Sequence, residues 1–207
     1  MPELAPVAAT KDLTIQQGRT FSLALRWESP PIVYRPITAI AQTAPARLTV
    51  PAHGVPDGWR VAITNVKGMT EINAEANKLT SRDYHQATVV DANTLDINDI
   101  NAAGYKAYTS GGYIQFGTPV DLTGFTARMT IKNKVGGTEL LSLTVDNSRI
   151  TIDAAAKVVA LNISAEDTAA ITWTSGVYDL EMVSGATPAV VTALLSGRVT
   201  VTKEVTT

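Results

Sequence analysis

A period of two in the apolar residues, broken every few positions by glycine or proline, constrains this chain more than any other feature. Leu13 and Ile15, then Phe21, Leu23, Leu25 and Trp27, fall two apart. The spacing returns in Ala127, Met129 and Ile131, in Leu141, Leu143 and Val145, and in Tyr178, Leu180 and Met182, where Asp179 and Glu181 fill the gaps. Successive side chains of a strand point to opposite faces, so each run predicts a strand with one buried and one wet face. Abundant Thr, Val and Ile point the same way, towards short strands joined by turns. The predicted class is all-β.

Turn signals between the runs set the expected connections. Gln17-Gly18 separates two strands, and Gly136-Gly137 closes a hairpin between residues 126–132 and 141–145. Ile150–Ile152 and Val158–Ile163 are two further strands linked through Asp153–Lys157, and residues 177–183 and 194–202 are the last two, linked by Ser184–Pro188. Ser164 precedes Ala165-Glu166-Asp167, a helix start in which the serine hydroxyl accepts from the backbone N–H three residues on. That short helix is the only one expected. Proline has no N–H and restricts its predecessor, so Ser29-Pro30-Pro31 should stop strand pairing and mark the exit from a first domain. Residues 1–12, rich in Ala and Pro and without a period, read as an arm that orders only when held.

With 207 residues, 45% hydrophobic and 17% charged, the chain can fill one large core or two small ones. The formal charge of −2 comes with lysines and arginines scattered singly, which offers no basic stripe for phosphate; nucleic acid is not an expected partner. No apolar stretch approaches bilayer length, and Met1-Pro2-Glu3-Leu4-Ala5-Pro6 has neither the basic nor the apolar segment of a signal peptide. No membrane partner and synthesis in the cytoplasm are therefore expected. The absence of cysteine excludes disulfides and thiolate metal sites.

The residues do not assemble catalytic chemistry. His53 lies in a Gly-Pro turn and His85 beside Tyr84, and no Gly-x-Ser-x-Gly elbow exposes a serine. Gly111-Gly112 and Gly136-Gly137 read as turns, not phosphate cradles. Asp91, Asn93, Asp96, Asn98 and Asp99 crowd oxygen ligands together, yet the spacing lacks the central glycine and terminal glutamate of a calcium loop, so a tight turn is expected. Nothing joins Glu139 to Glu166-Asp167 as a carboxylate pair. Trp27, Trp59, Trp173, Tyr105, Tyr108 and Tyr113 could line a sugar-binding face, but core packing accounts for them more simply. The expectation is a protein that is not an enzyme, with no catalytic, cofactor-binding or metal-ligating residue and no cofactor.

The pieces Gly18-Arg19-Thr20-Phe21, Asp121-Leu122-Thr123-Gly124-Phe125-Thr126-Ala127-Arg128-Met129, Tyr178-Asp179-Leu180-Glu181 and Gly197-Arg198-Val199-Thr200-Val201 together resemble a family of bacteriophage tail and baseplate proteins built on an Ig-like β-sandwich. Between them, Ala46–Val50, Ala52–Ile63, Val66–Asn73, Ala87–Val90, Thr94–Ile97 and Tyr108–Ile114 resemble a small β-barrel module of phage virion proteins, related in pattern to the first catalytic-cysteine half-domain of ubiquitin-activating enzymes. The pattern departs between Glu75 and Gln86, where a longer loop or altered strand is expected. Without cysteine, only the scaffold of that module is implied. The resemblance implies an arm (1–12), a discontinuous Ig-like sandwich (13–34 and 117–207) and an inserted barrel (35–116). It further implies a structural virion component, an adaptor in the tail, baseplate or head-to-tail junction, whose partners are other virion proteins and copies of itself. The alternative is a capsid decoration or a module binding host-surface glycans.

Overall fold

The computed structural model describes residues 8–74 and 79–204. Sixteen strands and one short α-helix run in chain order as β1 (Ala9–Thr10), β2 (Leu13–Gln16), β3 (Phe21–Leu25), β4 (Glu28–Pro36), β5 (Ala39–Ala41), β6 (Ala46–Thr49), β7 (Arg60–Lys67), β8 (His85–Asp91), β9 (Thr94–Ile97), β10 (Ser110–Pro119), β11 (Thr126–Lys132), β12 (Glu139–Thr144), β13 (Ile150–Asp153), β14 (Val158–Ile163), α1 (Ala165–Ala169), β15 (Ser175–Val183) and β16 (Val191–Thr202). The all-β class holds. The chain divides into two compact units, residues 1–27 with 121–207 and residues 28–120. Residues 28–34 and 117–120, expected in the sandwich, belong instead to the inserted unit, because β4 and β10 pair with each other along their length.

The discontinuous unit is sandwich-like. One sheet runs β1-β16-β15-β11-β12 with β2 also on β16, and the other runs β13-β14-β3. Alternation places Ala127, Met129 and Ile131 of β11, Tyr178, Leu180 and Met182 of β15 and Val159, Leu161 and Ile163 of β14 in the interior, each at most 4% exposed. Burying one such aliphatic side chain is worth about 1.5–3 kcal/mol. The β11–β12 hairpin, the β13–β14 pair and the Ser184–Pro188 loop form as expected. Ser164 caps α1, its hydroxyl accepting from the Asp167 N–H at 3.0 Å.

Three expectations for this unit are corrected. β2 and β3 do not pair across Gln17-Gly18: β2 lies parallel on β16 while β3 lies antiparallel on β14, so the turn carries the chain between sheets. As the edge of a three-stranded sheet, β3 leaves Phe21, Leu23 and Leu25 half-buried, and Trp27 is also half-buried, its ring edge-on to Phe125 at 5.6 Å between centroids. The arm is not free throughout. Residues 1–7 lie outside the described residues, but Ala9 and Thr10 pair in parallel with Leu195 and Ser196, Lys11 N–H donates to the Ser196 carbonyl, and Asp12 accepts from the Arg198 N–H. Gly197 permits this approach, because a Cβ there would run into the Lys11 carbonyl.

The inserted unit orders its strands β4-β10-β7-β8-β9-β6-β5. Its two ends are consecutive in the chain, and the link between them closes the sheet on itself. Ile37 N–H donates to Gly112 of one flank while the next residue, Thr38, donates to Thr49 of the other. The interior is one cluster that includes Trp59, Phe116, Ile63, Leu95, Ile97 and Met69. Pro30 and Pro31 do not end pairing. They sit inside β4 where the register against β10 slips between Gly117 and Thr118, the bulge being the place where a ladder tolerates residues without N–H. Two 3₁₀ turns, Thr70–Ile72 and Ser81–Asp83, add to the one helix expected. The second lies within the departing stretch Glu75–Gln86 and is closed by a capping box between Thr80 and Asp83; residues 75–78 lie outside the described residues.

Candidate functional site

Most exposed faces in the chain are polar, as solvated sheet faces should be. The outer face of β4, β10 and β7 also displays large apolar side chains among its polar ones. Antiparallel register sets two rows across it, Thr64–Tyr113–Pro36 and Ala62–Gln115–Tyr34, and Ile32 follows opposite Gly117; Ala62 is fully buried, so the open part of the second row is Gln115 and Tyr34. Tyr34 is 55% exposed, Tyr113 45% and Ile32 42%. Their neighbours one residue on, Val33 and Ile114, point the other way, against and into the core cluster. Among the described residues the hydroxyls of Tyr34, Tyr113 and Thr64 and the amide of Gln115 have no hydrogen-bond partner. The structural tyrosines differ: Tyr108 reaches the carbonyls of Ile37 and Gly111 at 3.0 Å each, and Tyr178 donates to Lys11 at 2.7 Å.

A groove of about 710 Å³ continues the face alongside Tyr34, Gln115 and Thr64, with Asn65, Lys67, Thr70, Asn73 and Leu79 on its other side. The Asn73 amide is committed, accepting from the Val66 N–H at 2.8 Å and donating to its carbonyl at 3.0 Å. The far end of the face is closed by Glu28 and Arg60, paired at 3.0 Å, with the guanidinium 5.3 Å from the Tyr84 ring centroid. The Glu28 hydrogen bonds hold the Arg60 pKa above its ordinary value. This pair is neutral as a unit.

The sandwich carries a trough of about 740 Å³ on the outer face of β11, β15 and β16. Its rows are Lys132–Val177–Arg198 and Thr130–Asp179–Ser196–Thr10, followed by Arg128 and Glu181, paired at 2.7 Å. Positive and negative groups alternate without converging on one point, which is the make-up of a solvated sheet face. Tyr178 faces the interior here; burial first, and then the nearby Asp12 and Asp179 charges, push its hydroxyl up to about 12.

The residues singled out in the sequence fall in separate places. His53 is buried: its Nδ1 accepts from the Val55 N–H at 3.0 Å and its Nε2 is 2.8 Å from the Asp91 carbonyl, to which it donates in the tautomer this requires. It ties a turn of the barrel and has no free nitrogen. His85 meets Asp99 at 2.9 Å beside a concavity of about 550 Å³ that also holds Arg82 and Asp83. The Thr80 hydroxyl there donates to Asp83, not to His85, and the Thr80 backbone and hydroxyl bonds hold the Asp83 pKa below the usual carboxylate range.

The Asp91–Asp99 oxygens do not converge. Asp91 accepts from the Asn93 N–H, Asn93 from Ala52, Asp96 pairs with Arg47 at 2.7 Å, and Asn98 accepts from the Thr88 hydroxyl. The Arg47 bonds lower the Asp96 pKa. Among the described residues no group of three or more histidine, aspartate or glutamate side chains is placed to hold a metal ion. Asp167 pairs with Arg149 at 3.0 Å, while Glu139 stands opposite Lys132. Of the aromatic residues considered as a sugar face, Trp59 is fully buried and Trp27, Trp173, Tyr105 and Tyr108 are half-buried; only Tyr113 is displayed. Tyr34 was missed, although its place in Ile32-Val33-Tyr34 carried an alternating signal that the preceding prolines obscured.

Neither protein-family models nor curated proteins give a match to this chain.

Proposed function

We propose that the chain is a structural component of a tailed-bacteriophage particle, an adaptor in the tail, baseplate or head-to-tail junction that joins subunits or fibres. The observation that carries this reading is the manner of insertion. The inserted unit begins at Glu28 and ends at Val120, and Glu28 stands opposite Pro119 in register. One compact unit is thus spliced into another through two adjacent strands instead of a single loose linker, a build suited to presenting one docking surface from a second. The resemblance of the flanking and inserted sequence patterns to virion proteins supports the same reading. So does the supply of sheet edges, β12 and β13 among them, whose backbone groups can pair with neighbouring subunits. Partners are other virion proteins and further copies of the chain.

The test is an amber mutation in its gene within a producing phage. Purified wild-type particles should contain the protein by mass spectrometry, and particles made without it should lack a tail component or fail to join head to tail. Complete, infectious particles that never contained the protein would overturn the reading.

A further inference from the structure

We propose that the outer face of β4, β10 and β7 binds a neutral oligosaccharide, with Tyr34 and Tyr113 as stacking platforms and Gln115 and Thr64 as partners for sugar hydroxyls. The inference stands on this face alone and does not rest on the virion reading. Tyr34 and Tyr113 occupy diagonal positions in adjacent strands, which sets the two residues roughly 7–8 Å apart, a spacing at which two rings can serve successive sugar units. Aromatic faces accept the C–H surfaces of a pyranose while the phenol oxygen stays available for hydrogen bonding. All four polar groups are free of partners among the described residues, so a ligand meets them without first breaking an internal bond. Leaving them uncommitted across two aligned rows is what a recognition face requires and what the committed Tyr108 and Tyr178 hydroxyls lack.

The chemistry selects a neutral polyol. Neither row contains a charged side chain, and the Glu28–Arg60 pair that ends the face cancels its own charge. Among the described residues lining the adjoining groove, an anionic ligand would find only Lys67, on its rim. A peptide strand added at the β4 edge is disfavoured by Pro30, Pro31 and Pro36, which supply no N–H, and by Arg35, whose guanidinium takes the Tyr34 carbonyl at 3.0 Å. A second copy of the chain is disfavoured by area. Three half-exposed side chains offer roughly 300 Å², against about 800 Å² per partner in a standard interface.

The experiment titrates the full chain with three probes: linear hexasaccharides of β-1,4-linked glucose, of α-1,4-linked glucose and of β-1,4-linked N-acetylglucosamine. Calorimetry gives the affinity, and NMR amide shifts report where each probe binds. At least one probe should bind with a Kd below about 5 mM and shift the Tyr34, Tyr113 and Gln115 signals. Tyr34→Ala and Tyr113→Ala should each weaken it by about tenfold or more with an unchanged melting temperature, because both rings are outside the core. Tyr34→Phe should keep most of the affinity. No binding by any probe at about 5 mM, or binding undiminished in both alanine variants, would overturn the proposal. So would a concentration-dependent dimer abolished by Tyr34→Ala, which would assign the face to self-association.

Discussion

The two units solve the same burial problem with different materials. The sandwich builds its interior mostly from aliphatic side chains and methionine on regularly alternating strands, with Tyr178 its one buried ring among the described residues, while Trp27 and Trp173 stay half-buried. The barrel centres on the fully buried Trp59 and Phe116. Its turns lean on special backbone: Gly54, Gly58, Gly68, Gly111 and Gly112 all have positive φ, joined by Ala52 and Asn65. A closed sheet needs large rings to fill its centre and tight turns to close its corners. An open pair of sheets meets the need with repetition. Stability in the barrel should therefore hang on a few large residues, and in the sandwich on many interchangeable ones.

The hardest test of that contrast is removal. Replacing residues 29–118 with a short Gly-Ser linker should leave the sandwich folded with one cooperative unfolding transition, since Glu28 and Pro119 already stand side by side. Loss of cooperativity would mean the sandwich depends on its insert. Next in size, Trp59→Ala should destabilise the barrel by about 3–5 kcal/mol, while Leu195→Ala at the sandwich margin should cost about 2–3 kcal/mol; differential scanning calorimetry reads both. Equal costs would erase the distinction between concentrated and distributed cores.

A smaller effect is expected in alkali. With the Tyr178 hydroxyl raised to about 12 from an unfolded value of 10, the folded state holds a proton that the unfolded state has lost. Sandwich stability should be intact below pH 10 and decline as pH rises towards 12. Tyr178→Phe should flatten that decline, and a decline of equal size in the variant would assign it elsewhere. Ser164→Ala, which removes the α1 cap, should cost about 1 kcal/mol by urea titration. Smallest of all is Asp121, fully exposed, which the Lys157 ammonium first and then the Thr123 hydroxyl and N–H hold at about 2. Its contribution is present above pH 3.8 and fades as pH falls towards 2. Asp121→Asn should change acid unfolding only in that window, as circular dichroism against pH would record.

What the sequence made legible follows the same division. Period two located the sandwich strands closely, because residues such as Tyr178, Leu180 and Met182 bury one face and wet the other. It could not say which strands pair, since β2 and β3 carry the same alternation whether they form a hairpin or lie in opposite sheets. It also misread Pro30-Pro31, where pairing with β10 absorbs the prolines in a bulge. In the barrel, turn chemistry at Pro56-Asp57-Gly58 was readable, and His53 was rightly placed in a turn, but its burial depends on Val55 and Asp91 converging on one ring. The displayed face was least legible: a buried and an exposed tyrosine look alike until register sets Tyr34 and Tyr113 on the outside.

The parallel pairing of β1 and β2 with β16 has a mechanical side. These are the first and last described strands, and tension applied between Ala9 and Thr202 would drag them lengthwise past each other. Their backbone hydrogen bonds would then bear the load together, with Gly197 keeping the strands close enough to share it. Glu28 and Pro119 present the opposite geometry, since pulling that antiparallel pair apart from its open end breaks bonds one at a time. Single-molecule stretching from the two attachment pairs should record a high rupture force in the first case and a low one in the second. A chain that yields at its insert before its own ends let go would act as a mechanical fuse.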